Sequence, residues 1–301
     1  MTESPYFATG TADNATIGVR LGHWTDDGAA TGCTVIRFDA PARCVVDVRG
    51  GAPATRETAL LAPGRLVRQV DAILLTGGSA FGLAAADGVM RALREDGRGV
   101  ATSGGPVPIV PAAAIFDLVA GPPRHPDAEA GYAAVRAVTE LSTARWGAIG
   151  AGRGATIDKI TGTPRPGGIG LGVATWAEGW VRAIAVVNAL GVVTTTEHPF
   201  LDPDPRLALL APGTPTPDSG NTTLVVLLID APIAEDDLVR SAISAHDGMA
   251  RAIVPCHTVF DGDIVFATAL RPLAPRRAPT LALAAASELA VERAIRAAVG
   301  R

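Results

Sequence analysis

Apolar residues along this chain follow two rhythms. In the first they come as short runs bounded by Gly, Pro, Asn and Asp, the pattern of buried strands. Thr34-Val35-Ile36-Arg37-Phe38 and Cys44-Val45-Val46-Asp47-Val48, ahead of Gly50-Gly51, predict a hairpin or meander. Ala72-Ile73-Leu74-Leu75, Val181 to Val187 with Asn188 at its end, Leu224 to Ile229 and Ile264 to Ala269 each predict a buried strand. In the second rhythm the spacing lengthens to three and four residues. Phe81, Leu83, Ala84, Met90 and Leu93 predict a helix from Ala80 to about Asp96, with Ser79 able to cap it and Gly97 to end it. Leu238, Val239, Ala242, Ile243, Met249, Ala250 and Ile253 predict another from Glu235 to Ile253, its first turn acidic and Pro255 its stop. An Ala-rich stretch from Thr280 to Val299 predicts the last helix.

Two stretches follow neither rhythm. Residues 147–172 are dense in glycine around Lys159, so the backbone there must turn tightly or approach something closely. From Pro199 to Gly220 recurrent prolines predict a surface linker, which stops at Gly220-Asn221-Thr222-Thr223, directly before the most hydrophobic strand. No repeat of fixed period is present.

Composition narrows the class. The 301 residues are 48% hydrophobic and 19% charged, with 30 acidic against 26 basic side chains, which suits a globular protein near neutrality. That balance excludes a disordered chain and a nucleic-acid binder driven by net charge. Cys33, Cys44 and Cys256 are odd in number and widely spaced, so free, mostly buried thiols are expected rather than a disulfide framework or a thiolate zinc site. The longest strongly apolar run, Leu224 to Ile229, is far too short to span a bilayer, and the first ten residues lack a signal-peptide pattern, so a cytoplasmic location is expected. Arg serves almost everywhere as the cation, and Lys159 is the single lysine. Only an ammonium loses its proton at modest cost when buried, which marks Lys159 as a position where Arg would not serve. The asparagines are also few: Asn14, Asn188 and Asn221.

Several short motifs could carry chemistry. Gly77-Gly78-Ser79-Ala80-Phe81-Gly82 lies between a strand and a helix like a nucleophile elbow, but Phe81 stands where that motif needs glycine. It could instead cradle a phosphate or simply cap the helix. His246, Asp247 and His257 match no standard metal-site spacing, so no metal is expected. At Gly220-Asn221-Thr222-Thr223 a linker delivers a Thr hydroxyl to the first residue of a buried strand, the layout self-cleavage requires. A freed Thr222 would carry a nucleophilic hydroxyl and an α-amine with a pKa of roughly 7.7 to 8, nucleophile and general base in one residue. The same tetrapeptide also reads as an Asn-Thr turn. Asp261-Gly262-Asp263 reads equally as a hairpin turn or as two carboxylates directed to one face. Asn188 at a strand end reads as an oxyanion donor or a turn residue.

LLTGGSAFGLAAADGVM, VPIVPAAAIFDL, GAGRGATIDKI, AVVNALG, GNTTLVVLLIDAP, AHDGMARAI and HTVFDGDIVFA, in this order and spanning nearly the whole chain, resemble the L-aminopeptidase D-Ala-esterase/amidase (DmpA) family. That family also contains β-peptidyl aminopeptidases and nylon-oligomer (6-aminohexanoate oligomer) hydrolases. The resemblance implies a four-layer αββα sandwich of the α/β class, similar to N-terminal-nucleophile hydrolases but differently connected. It implies one catalytic domain over 1–301, cut after Asn221 into an α chain 1–221 and a β chain 222–301. It puts the nucleophile at Thr222, with Lys159 and Asn188 beside nucleophile and oxyanion, and Asp261 and Asp263 as the carboxylate pair. The implied activity is amide hydrolysis of small peptides or amino-acid amides through an acyl-enzyme, without cofactor or metal, by a homo-oligomer, a tetramer by resemblance. Nylon-oligomer hydrolysis and an acyltransferase activity like that of ornithine acetyltransferases are the alternatives, and a metabolite-binding protein using Gly77 to Gly82 is the non-enzyme one. Ile115-Phe116-Asp117 departs from the family pattern, because Phe116 stands where relatives place a tyrosine and cannot donate its hydrogen bond.

Overall fold

Among the described residues ten strands are joined by hydrogen bonds, eight of them along one path: β1 (Val19–Asp26), β2 (Thr31–Val48), β3 (Ala54–Arg56), β4 (Gln69–Thr76), β5 (Ala112–Ala114), β6 (Thr139–Glu140), β7 (Gly168–Trp176), β8 (Gly179–Asn188), β9 (Thr222–Asp230) and β10 (Ile264–Ala269). The structure is a computed structural model describing residues 18–62, 64–194, 220–275 and 281–300. The order across the path is β3-β5-β4-β2-β10-β9-β8-β7, with β1 on β2 and β6 on β1.

β2 joins two layers. Its first half pairs with β1 and β4 and its last residues pair with β10, with the register against β4 shifting between Arg37 and Ala42. The hairpin or meander predicted for residues 34–48 is therefore one 18-residue strand. Asp39, Ala40 and Pro41 look like a turn because they are exposed and polar or N–H-less. They form an irregularity at which the strand bends and passes from one sheet to the other.

Among the described residues, five helices cover the outer faces: α1 (Ser79–Gly82), α2 (Ala85–Glu95), α3 (Ala128–Arg136), α4 (Glu235–Ala252) and α5 (Leu281–Ala298). Three apolar clusters mark the three interfaces of an αββα sandwich. Ala72 and Leu74 of β4 pack with α2 and α3, while Ile73 and Leu75 point between the sheets. Leu224, Val226 and Leu228 of β9 meet them there, and Val225, Leu227 and Ile229 face α4 and α5. The continuous apolar run at 224–229 thus reflects a strand buried on both faces. The glycine-rich stretch makes the predicted close approach: a Cβ on Gly168, Gly170 or Gly172 of β7 would lie within 2.5 Å of a backbone oxygen of α5.

α4 and α5 lie within two residues of their predicted ends. The single helix predicted from Ala80 is instead two, because Ala84, Ala86 and Asp87 donate to carbonyls three residues back and interrupt the α ladder. Gly78, at φ 79°, is the cap of α1, and Ser79 makes no side-chain cap. Gly97, at φ 71°, ends α2 as predicted, with its N–H on Arg94 and that of Arg98 on Leu93. The predicted linker 199–220 lies outside the described residues up to Gly220. All three cysteines are free, Cys33 and Cys44 being buried. Among the described residues no helix is long and apolar enough to cross a membrane.

Candidate active site

β8 ends where β9 and β10 begin, and the antiparallel register sets Asn188 opposite Thr222. Thr222 is therefore the first residue of a central strand, 4% exposed, as its place before the apolar run predicted.

The chain entering this strand is gripped on both sides of the Asn221–Thr222 peptide. Upstream, the Gly220 carbonyl accepts from Lys159 Nζ at 3.2 Å and Asn188 Nδ2 at 3.0 Å. At the peptide itself the Asn221 carbonyl accepts from Gly262 N–H at 2.7 Å and from the Thr222 hydroxyl at 2.5 Å. Downstream, Thr223 N–H donates to Asp263 Oδ1 at 2.6 Å. A Cβ on Gly262 would come within 2.8 Å of Thr222 Oγ1, so only glycine lets this backbone N–H reach the peptide. Asn221 is 1% exposed and both polar atoms of its side chain lack a partner. Burying such an amide unpaired costs about 1–3 kcal/mol.

Lys159 stands in the turn between two short strands, Thr156–Ile157 and Arg165–Pro166. Asp158, left-handed at φ 59°, anchors that turn by accepting Val193 N–H at 3.0 Å and pairing with Arg165. The ammonium places its three donors on Gly220 O, Asn188 O at 3.1 Å and Asn188 Oδ1 at 2.9 Å. Burial pulls its pKa down to about 8, against the nearby charge of Asp261. The other Asn188 contacts, Thr156 N–H onto Oδ1 at 3.0 Å and Nδ2 onto the Phe116 carbonyl at 3.1 Å, fix the amide's orientation.

Asp261 and Asp263 flank Gly262 but have different partners. Asp261 Oδ2 accepts from Thr258 N–H at 2.8 Å and Thr258 Oγ1 at 2.6 Å, and burial followed by the charge of Asp263 raises its pKa. Asp263 Oδ2 accepts from His257 N–H at 3.0 Å and Nδ1 at 2.8 Å. The D-G pair turns no hairpin, since β10 runs parallel to β9 after the α4 crossover. All five positions singled out in sequence thus converge on residues 220–223. Gly262 N–H, Thr258 and His257 were missed as members of the site. Their signal was present in the compact His257-to-Asp263 segment, where two acids and a glycine need local donors.

The Gly77–Gly82 turn does not join the site, whereas Phe116 borders it. The N–H of Gly78 is occupied by Asp117 Oδ1 at 2.6 Å, so the Gly77–Gly82 turn holds the protein's own carboxylate rather than a phosphate. Asp117 also accepts Thr31 Oγ1 at 2.7 Å, and burial raises its pKa. Phe116 packs its ring on Gly220 and contributes its carbonyl to Asn188. Among the described residues no three His, Cys, Asp or Glu side chains are grouped to hold a metal.

With the geometry in hand, the comparisons with known proteins speak to class. Peptidase family S58 matches residues 16–300. An uncharacterized aminopeptidase of Mycobacterium tuberculosis (strain ATCC 25618 / H37Rv) is 43% identical over 284 residues, covering 84% of this chain and 79% of that protein. The 6-aminohexanoate-oligomer endohydrolase of Paenarthrobacter ureafaciens is 32% identical over 271 residues, covering 83% and 72%. The solved L-aminopeptidase D-Ala-esterase/amidase of Ochrobactrum anthropi, described as a new variant among the Ntn hydrolase fold, superposes with a TM-score of 0.67 at 19% identity, covering 98% of this chain and 88% of that one. The four-layer sandwich and these likenesses define a hydrolase of peptide-type C–N bonds. The chain belongs to peptidase family S58.

Proposed function

We propose that this peptidase cuts its own chain between Asn221 and Thr222 and then uses the freed Thr222 to hydrolyse amide bonds of small peptides or amino-acid amides. The observation that carries the reading is the arrangement of donors around one peptide: the Thr222 hydroxyl and Gly262 N–H both meet the Asn221 carbonyl. Attack by Thr222 Oγ on that carbonyl carbon forms an oxyanion that Gly262 N–H already faces. Collapse breaks the C–N bond, the Thr222 nitrogen takes up a proton, and Asn221 becomes an ester on the hydroxyl. Water then releases Asn221 as a carboxylate and leaves Thr222 with a free amine.

In the second stage the α-amine of Thr222 removes the proton from its own hydroxyl as that hydroxyl attacks a substrate carbonyl. Asn188 Nδ2, released from Gly220, donates to the new oxyanion, and Lys159 holds Asn188 in place through Oδ1. Asp263 keeps Thr223, and so Thr222, in register. Collapse breaks the substrate C–N bond as the Thr222 ammonium returns its proton to the leaving amine, and water then releases the acyl group as a carboxylate and restores the hydroxyl. Asp261 borders the site, its pKa raised by burial and then by the charge of Asp263. No step calls on a metal or cofactor. The 32% identity to a 6-aminohexanoate-oligomer endohydrolase favours linear amides of ω-amino acids as a second substrate class. A cytoplasmic homo-oligomer with one catalytic domain belongs to the same proposal.

Intact-mass spectrometry of wild type and Thr222→Ala tests it. The 30.6 kDa chain is expected to yield fragments of about 22 and 8 kDa in wild type only. An uncut wild-type chain, or a Thr222→Ala chain cut at the same bond, overturns it.

A further inference from the structure

Behind Asp263 lie two imidazoles that the chemistry above does not use. His257 sends both its backbone N–H, at 3.0 Å, and its ring Nδ1, at 2.8 Å, to the same oxygen, Asp263 Oδ2, while Oδ1 takes Thr223 N–H at 2.6 Å. The His257 backbone that presents both groups to one oxygen is left-handed, at φ 56°, a conformation uncommon outside glycine and most frequent among the rest in asparagine, aspartate and histidine. The ring edge rests on His246 of α4, centroids 4.7 Å apart at 73°. His246 Nε2 lies 3.3 Å from the Asp47 carbonyl on β2.

The terminal torsion of an aspartate is broad, so one contact does not fix where its second oxygen points. Two donors from a single residue do. We propose that His257 is a positioning residue, which locks the Asp263 carboxylate so that its free oxygen holds Thr223 N–H and keeps the Thr222 hydroxyl against the Asn221–Thr222 peptide.

This rests on the reading of Thr222 as the nucleophile. The charges around the pair agree with it. Burial opposes the imidazolium of His257, yet its hydrogen bond to Asp263, the neighbouring Cys256 and the charge of Asp263 outweigh that and carry its pKa up to about 10. His246 goes the other way, down to about 4, through burial and then the charge of His257, against Asp47 and alongside Arg49. The two shifts run in opposite directions, favouring the cation at His257 and the neutral imidazole at His246. Asp261, on the far side of Gly262, is the remaining acid facing this cluster.

The test follows the self-cleavage rate of the full chain in a pulse-labelled cell-free synthesis, which needs no identified substrate. His257→Ala is expected to slow the cut by about tenfold or more. His257→Asn tolerates the left-handed backbone and keeps a donor near the Nδ1 position, and is expected to restore the rate to within about threefold of wild type. His257→Ala combined with Asp263→Asn is expected to be no slower than Asp263→Asn alone, a non-additivity that a merely structural histidine would not produce. Wild-type cutting by His257→Ala, a His257→Asn chain that melts like wild type but cuts as slowly as His257→Ala, or additive losses in the double variant each overturn the proposal. If His257→Ala does not fold, His257→Asn decides alone: cutting within about threefold of wild type supports the proposal, and a chain that melts like wild type but cuts about tenfold slower or more overturns it. Cutting of Thr222→Ala in the same assay would instead strike the reading beneath it, whatever the histidine variants do.

Discussion

The two walls of the site hold the same stretch of chain by opposite chemistry. The Lys159–Asn188 wall consists of donors and grips carbonyl oxygens upstream of the Asn221–Thr222 peptide. The Asp261–Asp263 wall consists of carboxylates and grips N–H groups downstream of it or in its own loop. A peptide drawn between a wall of donors and a wall of acceptors has its direction fixed, because reversing it would present carbonyls to carboxylates and N–H groups to an ammonium. Gly262 N–H is the exception that makes the acceptor wall reactive: it is a donor placed at the single carbonyl between the two grips. On the proposed function, the donor wall becomes free to serve a substrate oxyanion once the upstream chain leaves, whereas the acceptor wall holds residues that remain.

That asymmetry orders the expected effects of breaking each wall. Asn188→Ala removes the donor proposed for the substrate oxyanion and should lower kcat by about 100- to 1000-fold with a smaller change in KM, measured by steady-state hydrolysis of an amino-acid anilide. Asp263→Asn should cost less, because Thr223 N–H keeps an acceptor while the new amide N–H₂ faces the two His257 donors. Leaving such donors unpaired costs about 1–3 kcal/mol, or about ten- to a hundredfold in the rate of self-cleavage. The pH effect on the donor wall is milder. Lys159 uses all three ammonium donors, so self-cleavage should decline as pH rises through about 8 and the charge is lost, by at most tenfold per pH unit.

The smallest effect is on stability. His257 has a folded pKa raised to about 10 from the ordinary imidazole value of 6.5, so its contribution is complete below 6.5 and is lost as pH rises towards 10. Lys159, lowered to about 8, acts in the opposite direction between 8 and 10.5, and His246, lowered to about 4, acts only below 6.5. Between pH 6.5 and 8 the His257 contribution is therefore the one changing. Denaturant melts of the uncut Thr222→Ala chain should lose stability across that window, and the same chain carrying His257→Asn should not.

How much of this was legible in sequence depended on whether a feature was local. β9, β10, α4 and α5 were readable because burial on one or two faces writes itself into residue spacing, and Thr222 was readable because a proline-rich stretch stops at an apolar run. β2 was misread because Asp39-Ala40-Pro41 carries turn chemistry at a place where the strand bends between sheets, a choice made by its partners β4 and β10. Lys159 and Asn188 stood out through scarcity, yet the sequence alone does not show that one orients the other, since they meet only when the glycine-rich turn folds against the end of β8. Gly262 was read as spacing between two acids. Its N–H matters because the parallel β9 and β10 bring the two strand starts together, and that is long-range information.

The central claim is that Thr222, once freed, is the nucleophile. The most direct measurement is to mix the cut enzyme with an activated amino-acid ester, quench within one turnover and locate the acyl group by peptide mapping. The account predicts an acyl mass on the peptide beginning at Thr222 in the fragment of about 8 kDa, absent from Thr222→Ala. An acyl group on any other side chain, or turnover by Thr222→Ala, would contradict it.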